Sequence, residues 1–374
     1  MIDPQAMMSE FCELVRVDSP SLREAGVAAL IHDRLAEMGV ESYIDQAAAT
    51  VGGNSGNLIA HVPGIPGAPT VLLNAHMDTV EPGCGICPSI DGTRVCSSGA
   101  TVLGADDKAG CTIILGTLRH LLDERLPHPP LEVVFTVAEE IGLVGAQALD
   151  FGALKAKMGY VLDGGRTMGV ITHAAPSAYK FEWEVRGVAA HAGVCPERGI
   201  NSIRVAAEAI AEMPLGRLDA ETTANIGVIR GGDATNIVPE LTRVRGEARS
   251  HSDAKLERQR GLMVRAFEQA AQRHRASVEA QVTSTYRSFD VAREEPVLDY
   301  AWRACERLDF EPQMERGGGG SDANVFNERG IPSVILATGP ADVHTVNESV
   351  DVERMAESAR WLSETLVLIA EEAQ

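Results

Sequence analysis

At 374 residues, with an ordinary apolar content and a formal charge of −20, the chain is long enough for two domains that each bury a core. The charge argues against nucleic acid as a partner, because phosphates need a basic face, and equally against an anionic membrane surface. No apolar run approaches the roughly 20 residues of a membrane span, residues 1–8 lack the basic start and apolar core of a signal peptide, and seven scattered cysteines suit reduced thiols in a cytoplasm better than a disulfide framework.

In chain order, residues 6–15 and 22–38 read as helices, parted by Asp18-Ser19-Pro20-Ser21 and closed by Gly39. Residues 57–62, 70–74, 131–137 and 158–162 read as strands, with a helix over 111–122 and the start of another over 146–151. Strands alternating with helices predict an α/β layer with a mostly parallel central sheet. The pattern changes near Ala174. From Ser177 to Val185 the residues alternate, Tyr179, Phe181, Trp183 and Val185 against Lys180, Glu182 and Glu184, as a half-buried antiparallel strand does. A helix (201–213), two strands (223–229 and 241–250), a helix (253–274) and a strand (277–286) complete a β-α-β-β-α-β, ferredoxin-like unit. Residues 176–287 therefore read as a domain inserted into a discontinuous one, 1–175 and 288–374. The return carries a helix (297–308), a glycine run (317–320), a strand (333–337) and a final helix (352–370).

Chemistry collects where apolar strands end. His76 and Asp78 close the run from Val71, and residues two apart on a strand share a face, so the carboxylate can orient the imidazole. Thr101-Val102-Leu103-Gly104-Ala105-Asp106-Asp107-Lys108-Ala109-Gly110 sets two carboxylates between glycines ahead of a helix, where they can hold divalent cations or simply cap the helix. Glu139 and Glu140 follow the strand that starts at Leu131, and Asp163 ends the strand 158–162. His344 lies beyond the last strand. Each alone also fits a cap or a solvated loop; together they are N/O ligands at strand C-termini, where open α/β sheets keep their sites.

In this order, His-x-Asp, Gly-Ala-Asp-Asp-Lys-Ala-Gly, Glu-Glu-x-Gly, Val-Leu-Asp-Gly-Gly, His-Ala-Gly, Asn-x-Val-Pro-Glu and a late His, the chain resembles the co-catalytic zinc metallopeptidases, which include peptidase T, carboxypeptidase G, aminoacylase and the acyl-amino-acid deacylases. The branch it most resembles is peptidase T, although the segment between Asp78 and Asp106 is shorter here. The resemblance implies two divalent ions, zinc first, with cobalt or manganese possible. Asp106 would bridge them, His76 and Asp163 would complete one site, and Glu140 and His344 the other. It also implies a cis Asp106–Asp107 peptide, Asp78 orienting His76, and Glu139 as general base. In the insert, a lid and dimerisation domain, His191 would reach a partner subunit's site, and Asn236 and Arg249 match substrate-binding positions. The Gly319-Gly320-Ser321 turn would line the substrate pocket.

The expected activity is hydrolysis of an amide bond in short peptides by a cytoplasmic homodimer, acting as an aminopeptidase. An acyl-amino-acid deacylase with the same centre is the alternative, and a non-catalytic scaffold is disfavoured because all five ligand positions and Glu139 are present. Cys84-Gly85-Ile86-Cys87, with Cys96 beyond, has metal-ligand spacing but no convincing fourth ligand, so no structural zinc is expected there.

Overall fold

The apolar runs that lead into charged residues lie side by side as four parallel strands, in the order Leu131–Thr136, Val71–His76, Met158–Gly164 and Ser333–Ala337. This is a computed structural model; it describes residues 2–374, and Met1, the start of the N-terminal stretch read above, lies outside the described residues. Every residue of Val71–His76, Leu131–Thr136 and Ser333–Ala337 is buried, the pattern of a parallel sheet covered on both faces. Leu58–Val62 and then Ser42–Ile44 extend one edge with antiparallel pairing. At the other side Val170–Ala175 runs antiparallel to Ser333–Ala337 and parallel to Gln313–Arg316. Helices Pro4–Val15, Ala105–Asp123 and Val352–Glu372 pack on one another, and Trp361 donates its indole N–H to Ala301 O at 2.8 Å, tying the last helix to Pro296–Arg307.

By contact the chain divides into Met1–Ala175 with Asp290–Gln374, and Pro176–Phe289. In the smaller unit the antiparallel strand order is Gly216–Arg217, Thr222–Gly231, Leu241–Ser250, Ser177–Arg186, Ser277–Tyr286. Helices Ser202–Glu212 and Asp253–His274 cover one face. The core there is aromatic: Trp183 stacks on Phe181 at 5.2 Å and on Phe267 at 4.5 Å. Lys180 and Glu182, which alternate with Phe181 and Trp183, are exposed.

Local details depart from the sequence expectations. The second helix starts at Ala25 rather than at 22, since Leu22 is left-handed at φ 75° and its N–H donates to Glu24 Oε1 at 2.8 Å. The helix expected from Cys111 begins at Ala105, with non-helical backbone at Asp106 and Asp107. That expected over 146–151 is the single turn Val144–Gln147. A four-stranded antiparallel sheet of Pro340–Ala341, Ser349–Asp351, Arg94–Ser97 and Pro88–Asp91 was not anticipated, because its strands are too short to show a period. Among the described residues no helix is long and apolar enough to cross a membrane.

Candidate metal centre

His76 is the last residue of its strand, and Asp78 lies two residues beyond it. Asp78 is fully buried. Its Oδ1 accepts from Glu139 N at 3.0 Å and lies 3.3 Å from His76 Nδ1, while Oδ2 accepts from Ser21 Oγ at 2.6 Å and from Glu140 N at 3.2 Å. Burial alone would raise its pKa; the hydrogen bond and charge of His76, then Ser21 and the Glu139 N–H, outweigh that and hold it below the usual carboxylate range. Asp78 thus holds the backbone of both glutamates with its carboxylate, and the imidazole with that carboxylate and with its own carbonyl, 3.0 Å from His76 Nδ1.

Asp106 follows Gly104, which sits at φ 74°, and the Asp106–Asp107 peptide is cis. Asp106 Oδ1 lies 3.1 Å from His76 Nε2, and its Oδ2 lies 3.2 Å from His344 Nε2. Asp107 is spent on backbone: Oδ2 accepts from His76 N and Oδ1 from Gly110 N, both at 3.1 Å. At Gly110 a Cβ would come within 1.9 Å of Leu162 O and 2.4 Å of Asp107 Oδ1, so a side chain there would push this turn off the third strand. Asp106, by contrast, faces both imidazoles. The turn is anchored by a residue for which sequence reading found no role: buried Glu348 accepts from Leu103 N and Gly104 N at 2.7 Å and from Asp106 N at 3.0 Å. Its only signal in the sequence was an acid among uncharged residues four positions after His344.

Glu139 and Glu140 follow Ala138, a non-glycine residue at φ 53° whose N–H donates to buried Glu24 Oε1 at 3.0 Å. Asp342 and His344 are also left-handed, at φ 54° and 61°, an uncommon backbone state that clusters at functional sites. His344 Nε2 lies 2.9 Å from Glu140 Oε1. The ligand atoms of His76, Asp106 and Glu140 fall within 4.8 Å of one another, as do those of His76, Asp107 and Asp163. The five ligand positions expected from the sequence thus converge at the C-terminal ends of the parallel strands and the loop that follows.

Charge at this point is unbalanced. Burial first, and then the Asp106 charge, push Asp163 well above the carboxylate range. Burial does the same to Glu139, with Asp163, Asp322 and Glu140 adding to it against the pull of His76. The carboxylates in turn raise the proton affinity of the imidazoles: His344 is pushed up to about 10 by hydrogen bonds to Asp106 and then Glu140. His76 is raised by Asp106 and Asp78 even though burial opposes it. Acids crowded beyond what two imidazoles can neutralise call for cations, and two nitrogens with three carboxylates form a donor set suited to divalent ions such as zinc.

In the smaller unit, exposed His191 ends the short strand Ala190–His191, paired with Ile237–Val238. Gly193 N donates to its Nδ1 at 3.2 Å, so the hydrogen-bonding atom left on the ring is Nε2. Asn236 is beside it, accepting from Ala192 N at 2.9 Å. Arg249 lies near the end of Leu241–Ser250, opposite Ala178, whereas the start of that strand, Leu241, is opposite Arg186. The Arg249 guanidinium donates to Glu247 Oε2 at 3.1 Å. In the larger unit, Gly319 and Gly320 lead into buried Ser321, the N-cap of Asp322–Glu328.

Known proteins share this architecture. The sequence pattern of Peptidase family M20/M25/M40 matches residues 72–367. An uncharacterized protein of Bacillus subtilis (strain 168) is 39% identical over 373 residues, 100% of both chains. Among solved structures, the aminopeptidase PepT of Bacillus cereus ATCC 10987 is 42% identical and covers 99% of each chain, with a TM-score of 0.87. A tripeptidase of Staphylococcus aureus subsp. aureus Mu50 is 34% identical over 99% of this chain and 100% of that one, with a TM-score of 0.93.

Proposed function

The chain belongs to Peptidase family M20/M25/M40 and is a metal-dependent hydrolase of peptide bonds; we propose that it is an aminopeptidase acting on short peptides with a free N-terminus. The observation that carries this reading is the placement of Asp106, each of whose oxygens faces a different imidazole, beside buried Glu139. His76, Asp106 and Asp163 would hold one ion, and Glu140, His344 and the same Asp106 the other. Zinc is the first choice for these donors, with cobalt and manganese as alternatives. When bound, two such ions polarise the scissile carbonyl and lower the pKa of an attacking water.

The chain's own groups do the rest. Glu139 takes the water's proton and returns it to the leaving amine; burial and the neighbouring carboxylates raise its proton affinity. Asp78 keeps His76 in one tautomer by facing its Nδ1. His191, supplied by a partner subunit, would donate to the developing oxyanion, with Asn236 beside it. Arg249, released from Glu247, would take a substrate carboxylate with its planar fork, and Gly319, Gly320 and Ser321 would line the cleft. The dimer would form through the smaller unit, whose edge strands are pairing surfaces. Seven unpaired cysteines support a cytoplasmic setting.

An aspartate at position 163 is a carbon shorter than glutamate and leaves room beside the ions. A substrate ammonium there meets the negative field of the carboxylates, from which an acylated nitrogen gains nothing. Free di- and tripeptides compared with their N-acetylated forms and with N-acyl amino acids test this on zinc-loaded protein. Faster turnover of the free peptides is expected, and preference for the acylated compounds would replace the aminopeptidase reading with the deacylase one.

A further inference from the structure

We propose that Asp322 is a positioning residue for the hydrolytic site, its buried carboxyl fastening together the two strand ends that present His76 and Glu139. Asp322 is the first residue of the helix Asp322–Glu328 and is 1% exposed. Its Oδ2 accepts from Thr136 Oγ1 at 2.5 Å and lies 3.5 Å from Asn74 Nδ2. Asn74 Nδ2 also donates to Thr136 Oγ1 at 3.2 Å and to Val134 O at 3.0 Å. The hydrogen bonds therefore run in one direction, from the Asn74 amide to the Thr136 hydroxyl to the Asp322 carboxyl.

The first two members of this chain sit next to the chemistry. Asn74 is two residues before His76 on the same strand, hence on the same face. Thr136 is the last residue of the neighbouring strand, in register with His76 and three residues before Glu139. Its carbonyl accepts from Met77 N at 2.8 Å, between His76 and Asp78. A carboxyl that grips Thr136 and leans on Asn74 thus sets how the His76 end and the Glu139 end stand relative to each other.

Asp322 is a poor residue for stability alone. Its Oδ1 has no hydrogen-bond partner among the described residues, nor has Asn74 Oδ1, and both atoms are buried. An acceptor buried without a donor costs free energy that an apolar side chain of similar size would not. A purely structural clasp between strands gains nothing from leaving it so, whereas a site that must hold a base and an imidazole ligand in fixed register gains that register. A misplacement of about 1 Å at reacting groups costs on the order of 10²-fold in rate, which sets the scale of the effect.

This inference rests on the peptidase reading, so kcat and KM are measured on whichever amide the zinc-loaded wild type turns over, with metal content and melting temperature recorded for each variant. Asp322→Ala is expected to lower kcat by roughly 10- to 100-fold with KM changed less than about twofold and both ions retained. Thr136→Val, which keeps the shape and removes the hydroxyl, should lower kcat in the same sense. The double variant should be no worse than Asp322→Ala, and Asp322→Asn, which keeps an acceptor, should recover most of the rate. A wild-type kcat in folded Asp322→Ala, additive losses in the double variant, or a loss that only follows metal release overturns the proposal. If Asp322→Ala does not fold, Thr136→Val decides: reduced kcat at full metal content supports the clasp, and unchanged kcat sinks it. A change of preferred substrate class would overturn the aminopeptidase reading and leave these ratios standing.

Discussion

Both units lay helices against a sheet, yet they keep their charges in different places. The larger one buries Glu24, Asp78, Asp107, Lys108, Glu139, Asp322 and Glu348, and most of these acids are tied down by backbone N–H groups. Among the described residues the smaller unit buries no charged side chain. Its ions pair on the surface, as Arg273 does with Glu208 and Glu212 at 2.6 and 2.8 Å, and its interior is held by Phe181, Trp183 and Phe267. Withdrawing an ion from water costs several kcal/mol even after relaxation, so a fold that needed only stability would look like the smaller unit. Burial alone does not mark chemistry either. Glu132 is buried too, but it is satisfied by Lys155 N and Ala156 N, all within 2.9 Å. What distinguishes the centre is that several buried and half-buried acids converge on one another and on two imidazoles.

Glu139→Gln is the hardest blow to that contrast, because it removes a charge from the larger unit and leaves the shape. Turnover should fall by roughly 10²- to 10⁴-fold, while metal analysis still finds both ions, since Glu139 is outside the ligand set. A variant that kept its rate, or lost metal before activity, would exchange the roles of Glu139 and Glu140.

The smaller unit contributes to the reaction, on this reading, through His191, Asn236 and Arg249, none of which is fully buried. If His191 serves a partner's centre, inactive Glu139→Gln chains mixed with inactive His191→Ala chains should regain part of the wild-type rate in hybrid dimers. Mixtures that stay inactive after subunit exchange has been verified would confine His191 to its own chain or remove it from the reaction.

The sequence pattern reaches the parallel strands and the residues just past their ends because both are local: an apolar run, then a charge. His76, Asp78, Glu139, Glu140 and Asp163 are legible for that reason. Contacts between distant segments are not. Glu348 holds Leu103 N from 245 residues away, and Ser21 reaches Asp78 across 57. The left-handed backbone at Ala138 and His344 carries no glycine to announce it. The second helix begins three residues later than its sequence predicts because the carboxylate of Glu24, in character for a helix, is committed to Leu22 N and Ala138 N instead. For Arg249, likeness in sequence suggests a shared task with Asn236, and a periodicity that places it on the strand Leu241–Ser250 says nothing of which residues it faces.

The smallest expected effect lies in the larger unit itself, at Cys84 and Cys87. If convergence rather than ligand spacing marks its chemistry, this pair should be dispensable. Both side chains are exposed, and the close groups of ligand-type atoms among the described residues are drawn from His76, Asp106, Asp107, Glu140 and Asp163, with no thiol. The loop is held without them: Gly85 N donates to Asp18 Oδ1 at 2.7 Å, Ser98 N to Cys87 O at 2.9 Å, and Ile86 is buried. Serine at both positions removes any zinc-binding capacity and alters none of those bonds. The Cys84→Ser/Cys87→Ser protein should therefore bind the same number of ions as wild type, melt at the same temperature and keep its rate. Loss of one equivalent of zinc would mean that an exposed pair with metal-ligand spacing does hold an ion, and that convergence with the other ligand-type side chains is not what marks chemical residues in this unit.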